Sequence, residues 1–182
     1  MTNSLKIKML NYLSKRNIDN KSGFTLVELI VVVVIIGILS SIAIPGFNNA
    51  SDKAKQKEAS TLLASYVKAA QAYYTENSEL ADTVGDLNQF IIVSGCANND
   101  AQACKGATTA VANTAVGWNS PTGNYVIAMT NPSNNGTAFT ATPKTGWTGY
   151  PVAAVFCTST GSTILNEGTQ KGADPAIPTC PN

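Results

Sequence analysis

The chain has 182 residues, 44% of them hydrophobic and only 13% charged, with a formal net charge of +1 and no histidine. That length suits one domain with a modest core. The near-neutral balance leaves no electrostatic footprint for nucleic acid, and the missing histidine removes the commonest general base and transition-metal ligand.

The first 23 residues are polar and basic, with Lys6, Lys8, Lys15, Arg16 and Lys21 against a single acid, Asp19. They read as a leader whose positive charge holds the N-terminus inside. Without them the chain keeps seven lysines and ten carboxylates.

An uncharged apolar run from Leu29 to Ile44 follows the sequence Gly23-Phe24-Thr25-Leu26-Val27-Glu28. Residues 24–45 would make a helix of about 33 Å, enough to cross a bilayer core. Val31 to Val34 would be poor helix formers in water, but in lipid backbone hydrogen bonding imposes a helix. Glu28 stands at the entrance to this run, where a carboxylate is costly unless neutralised, and so calls for a partner. Pro45 lacks an N–H and marks a kink or local melting.

Residues 46–79 become amphipathic. Ala50, Ala54, Leu62, Tyr66, Ala69 and Tyr73 fall on one predicted stripe, with Lys53, Lys57, Glu58 and Lys68 mostly off it. The helix is expected to end near Asn77. Such a length exceeds what a soluble core of this size needs.

Residues 80–182 are rich in Gly, Thr, Ser, Asn and Ala. Turn signals at Asn119–Gly123, Asn131–Gly136 and Pro143–Gly146 separate short runs at 125–130, 137–142 and 152–158. These predict an antiparallel meander of three or four strands packed on the helix stripe. The 94–118 segment shows little periodicity and reads as a loop. Trp118, Tyr125, Phe139, Trp147, Tyr150 and Phe156 fit sheet–helix packing better than an adhesive surface. Four cysteines, at 96, 104, 157 and 180, lie in this half and fit an oxidising compartment. Three pairings are open. Cys96–Cys104 and Cys157–Cys180 are favoured because each closes a short loop. The spacing matches no zinc site. No catalytic, cofactor or metal constellation is expected, and the chain is not expected to be an enzyme.

The stretch GFTLVELIVVVVIIGILSSIAIP resembles the N-terminal signature of type IV pilins and the related type II secretion pseudopilins. The resemblance is specific over about 25 residues and looser to about residue 80, and the leader is long for the subclass whose mature chain begins with Phe. It implies an α+β pilin fold, in which a long N-terminal helix with a membrane-spanning first half packs on a small antiparallel head. It implies cleavage by a prepilin peptidase between Gly23 and Phe24, N-methylation of Phe24, and pairing of that amine with Glu28 of a neighbouring copy. Pro45 matches the family's helix-softening proline. The expected partners are other copies and other pilins, the prepilin peptidase/methyltransferase, an inner-membrane assembly platform, and membrane lipid before assembly. The expected location is a single-pass cytoplasmic-membrane precursor with its head outside, then an extracellular pilus. The alternatives are a secretion pseudopilin or, if Ser41-Ile42-Ala43 is a signal-peptidase site, a soluble secreted binding domain.

Overall fold

The computed structural model describes residues 23–96, 108–115, 117–131, 135–144 and 146–181. The chain divides into two compact units, Met1–Pro45 and Gly46–Asn182. One helix, α1 (Leu26–Asn77), contributes to both.

In the first unit every described side chain except that of Ser40 is exposed. Leu26, Ile30, Val34, Ile38 and Ile42 remain 49–74% exposed. A soluble domain rarely shows such a surface, and β-branched residues crowded this densely gain nothing from a helix in water. By length and composition, α1 can cross a membrane.

In the second unit α1 lies on an antiparallel sheet. Its buried residues are Gln56, Ala59, Ser60, Leu63, Tyr66, Val67, Ala69 and Ala70, recurring at spacings of three and four. This corrects the predicted stripe, because Ala50 and Ala54 are exposed and Leu62 is only half-buried. Two polar residues, Gln56 and Ser60, take the buried positions instead. The helix ends at Ser78, whose φ is 57° and whose N–H donates to the Tyr74 carbonyl at 2.8 Å. This left-handed residue closes the last turn.

A short helix, α2 (Val84–Leu87), follows. The strands are β1 (Ser94–Cys96), β2 (Thr108–Ala110), β3 (Gly117–Asn119), β4 (Tyr125–Thr130), β5 (Gly136–Pro143), β6 (Val152–Cys157) and β7 (Thr163–Glu167). β1 and β2 form a two-stranded ribbon, and β3 to β7 form a meander in sequence order. The sheet therefore has five strands rather than three or four, and the segment read as a loop holds β1, β2 and most of β3. β7 escaped notice because its residues are exposed or half-exposed at the sheet edge, without a continuous apolar signal.

Met129 opposes Phe139, which opposes Ala154. That face joins Tyr125, Ile127, Val152 and Phe156 to Leu63, Tyr66, Val67 and Ala70 in one core. Tyr66 meets Trp118 edge-on at 5.4 Å and Phe139 at 5.9 Å, while Tyr74 meets Phe156 at 5.4 Å. Trp118, Tyr125, Phe139 and Phe156 thus serve packing; Trp147 and Tyr150 are half-buried.

β6 is buried on both faces along its whole length. Its outer face carries Val155 and Cys157, which cluster with Ala138, Ile164 and Cys180. Cys157 and Cys180 form a disulfide with Cα atoms 5.5 Å apart, tying the C-terminal segment to this face. A strand covered on both sides carries a continuous apolar run, which is what VAAVFC is. Gly136 allows β5 to approach β6: a Cβ there would stand 1.9 Å from the Phe156 carbonyl oxygen. Cys96 is also disulfide-bonded. Its expected partner, Cys104, lies outside the described residues.

Candidate functional site

The residues singled out at the head of the apolar run come together at the start of α1. Thr25 immediately precedes the first helical residue, and Glu28 occupies the first turn. The first N–H groups of a helix lack intrahelical acceptors. Here they are met reciprocally. The Thr25 N–H donates to Glu28 Oε2 at 2.8 Å, the Thr25 hydroxyl donates to the same oxygen at 2.7 Å, and the Glu28 N–H donates to Thr25 Oγ1 at 3.2 Å. This is a capping box, and the positive end of the helix dipole favours a carboxylate in the same place.

Glu28 thus has an intrachain partner that the sequence reading missed, although Thr-x-x-Glu before an apolar run is a recognisable signature. The box occupies one carboxylate oxygen. Glu28 Oε1 makes no hydrogen bond among the described residues. The carboxylate is held in a fixed orientation with one oxygen able to accept a cationic donor. Phe24 precedes it with its ring 92% exposed. Gly23 has open space around its Cα. Pro45 lies inside α1 and is the last residue of the first unit.

Among its described residues the head offers no comparable chemical centre. Among the described residues no group of three or more His, Cys, Asp or Glu side chains could hold a metal. Its polar contacts fasten α1 to the chain's C-terminal portion. Gln56 Nε2 donates to the Gly168 carbonyl at 2.8 Å, and the Ser60 hydroxyl donates to Glu167 Oε1 at 2.7 Å. Lys57 pairs with Glu167 at 2.7 Å, and Lys171 pairs with Asp52. The hydrogen bond from Lys57, then that from Ser60, holds the Glu167 carboxyl below its ordinary value. Those from Lys171 and the Trp147 indole lower Asp52. The Asp52 bond in turn raises Lys171. The Tyr125 hydroxyl, pushed up by burial, donates to the Tyr150 carbonyl at 2.9 Å.

Comparison with known proteins finds matches over part of the chain. The family model of the prokaryotic N-terminal methylation motif matches residues 18–44. The type IV major pilin protein PilA of Myxococcus xanthus is 42% identical over 65 residues, 36% of this chain and 30% of that protein. The type II secretion system core protein G of Vibrio cholerae is 38% identical over 76 residues, 42% of this chain and 52% of that protein. A fimbrial protein of Neisseria meningitidis serogroup B is 36% identical over 59 residues, 32% of this chain and 35% of that protein. The chain thus spans between about a third and about half of the length of these relatives. No solved structure matches it. With the methylation motif at its head, an exposed apolar helix behind that motif and an antiparallel sheet on the helix's second half, the chain is similar to type IV pilins and type II secretion pseudopilins.

Proposed function

We propose that this protein is the structural subunit of a type IV pilus, made as a membrane-anchored precursor with its head outside the cytoplasm. A prepilin peptidase cuts between Gly23 and Phe24, the new Phe24 amine is methylated, and the subunit then assembles with other copies into an extracellular filament. Its expected partners are other pilins, the processing enzyme, the membrane assembly platform and, before assembly, lipid. Adhesion, twitching motility and DNA uptake are the roles open to such a filament. The protein performs no catalysis in this reading.

The observation that carries the reading is Glu28, fixed by Thr25 through one oxygen at the head of an exposed apolar helix. A new amine and a carboxylate in lipid neutralise each other best between staggered chains, and removing one partner of a buried pair leaves an uncompensated charge. Exchanging lipid contacts for contacts with other copies of the apolar helix keeps that surface out of water throughout.

A second reading, a secretion pseudopilin, is favoured by the similarity to core protein G. The pilus reading is preferred for two features of the C-terminal portion. The last 25 residues hold only two acids, Glu167 and Asp174, and the Cys157–Cys180 segment resembles the disulfide-closed region of pilins. Electron microscopy of sheared surface filaments, with mass spectrometry of their subunit, separates the readings. Long filaments built from this chain support a pilus. Absence of surface filaments, with loss of protein secretion on deletion, supports the pseudopilin.

A further inference from the structure

The second unit carries a basic–aromatic cluster that the assembly reading does not use. Lys53 Nζ lies 4.4 Å from the centre of the Tyr150 ring, and Lys55 Nζ lies 4.3 Å from that of Trp147. Lys171 sits 5.5 Å from the Tyr150 ring centre. The Trp147 indole N–H donates to Asp52 at 2.8 Å, and Tyr125 meets the Trp147 ring edge-on at 5.3 Å, so the aromatics are held in place. Beside them an open cleft is lined by Asn48, Ser51, Lys55, Thr148 and Lys171 together with Asp52. Five of these six residues offer side-chain donors. Lys171 and Trp147 engage the one carboxylate, and neither Lys53 nor Lys55 forms an ion pair among the described residues. The cluster has surplus positive charge, fixed amphipathic rings and a donor-lined cleft.

Its place in the chain decides what it fits. The cluster's helical residues, Asn48 to Lys55, begin four residues after the apolar run that ends at Ile44. Lys55 is nine residues past Gly46, about 14 Å of helix, and helical side chains lean toward the N-terminus. Tryptophan and tyrosine with polar tips settle at the headgroup level of a membrane, and lysines beside a span are drawn to anionic lipid. A phosphate ester is an acceptor-only anion, the complement of a cleft rich in ammonium, hydroxyl and amide donors.

We propose that this face, built from Lys53, Lys55, Lys171, Trp147 and Tyr150, docks on anionic phospholipid headgroups while the subunit waits in the membrane. The proposal rests on residues 24–45 being a membrane anchor. Docking limits how the head can swing before assembly and must be released when the subunit leaves the bilayer.

The test uses the full chain in nanodiscs of phosphatidylcholine alone or of phosphatidylcholine with phosphatidylglycerol, both doped with a headgroup-nitroxide lipid. Trp118→Phe leaves Trp147 as the sole tryptophan. Trp147 fluorescence is expected to be quenched more strongly in the anionic discs. Each of Lys53→Glu and Lys55→Glu should lower the docked fraction at least about fivefold in the docked-to-free ratio. Lys68→Glu, elsewhere on the helix, should leave it unchanged. Amide exchange of the unmodified chain at 48–55 and 146–150 gives a second readout, with protection expected only in anionic discs. Equal quenching and exchange in both disc types overturns the proposal. So does protection that grows with the number of chains per disc regardless of lipid, which assigns the face to a second copy. A chain that enters neither disc overturns the anchor reading itself.

Discussion

The Glu28 carboxylate accepts both the backbone N–H and the hydroxyl of Thr25 on a single oxygen, at 2.8 and 2.7 Å. The acid proposed to meet another copy's amine is therefore already oriented within its own chain. Replacing Thr25 by Val keeps the β-branched shape and removes the hydroxyl. Amide exchange at residues 26–28 of the nanodisc-embedded chain should quicken by about threefold to tenfold, while the head melts unchanged. Unchanged exchange would mean that the capping box does not hold in the membrane.

Gln56 is a buried polar side chain in the contact between α1 and the sheet. Its amide reaches the Gly168 carbonyl at 2.8 Å and, more weakly, that of Pro151 at 3.4 Å. Gln56→Ala should cost about 1–3 kcal/mol by leaving buried carbonyl capacity unmet. That corresponds to a melting point lower by roughly 2–12 °C in a domain of this size. Gln56→Glu should do at least as much harm, because a carboxylate would face two carbonyl oxygens. Calorimetry of the two variants checks both.

The clasp at Asp52, Glu167 and Lys171 gives the head a pH window. Glu167 and Asp52 have folded-state values held below 4.5 and 3.8, so their contributions are complete above those values. They fade as pH falls through the lowered values, when the folded state must take up protons. Lys171 is raised above 10.5, so its contribution is complete below that value and fades as pH climbs through the raised one. Melting temperature should be flat between these limits and fall on either side. Glu167→Gln should shallow the acidic fall, and an unchanged acidic limb would contradict the assignment.

The Cys157–Cys180 disulfide joins residues 23 apart and pins the segment that covers the outer face of β6. Reducing it, or replacing both cysteines by serine, should destabilise the head by about 2–4 kcal/mol. Limited proteolysis should then cut first within residues 168–181, before any cut in β4 to β6. Simultaneous cutting throughout would show that the bridge holds the whole sheet rather than its cover.

The fold class was legible because hydropathy changes so abruptly along this chain: an uncharged block, an amphipathic stretch, then turn-punctuated short runs. What stayed hidden was hidden by polarity or shortness. Gln56 and Ser60 sit in the helix–sheet contact, where a hydropathy stripe passes over them and selects Ala50 and Ala54 instead. β7 lies at an edge with mixed exposure, and β1, β2 and β3 have three residues each, below the reach of any periodicity. At the site, the spacing of Gly23, Phe24 and Glu28 drew attention to the start of α1, but the contact of Glu28 with Thr25 did not emerge. Thr25 with Glu28 and Thr83 with Asp86 carry the same start signature, and the structure engages each pair. The basic–aromatic cluster brings α1 together with residues about 95 to 120 positions away, which no local pattern can announce.

The account's central claim is that the subunit begins at Phe24 and needs Glu28 to assemble, not to be processed. The direct measurement is mass spectrometry of the subunit from wild-type and Glu28→Ala cells, with filaments counted by electron microscopy. The account predicts N-methyl-Phe24 at the N-terminus in wild type, a chain also starting at Phe24 in Glu28→Ala, and filaments reduced at least tenfold in the variant. A mature N-terminus at any other residue, or a normal number of filaments from Glu28→Ala, would contradict it.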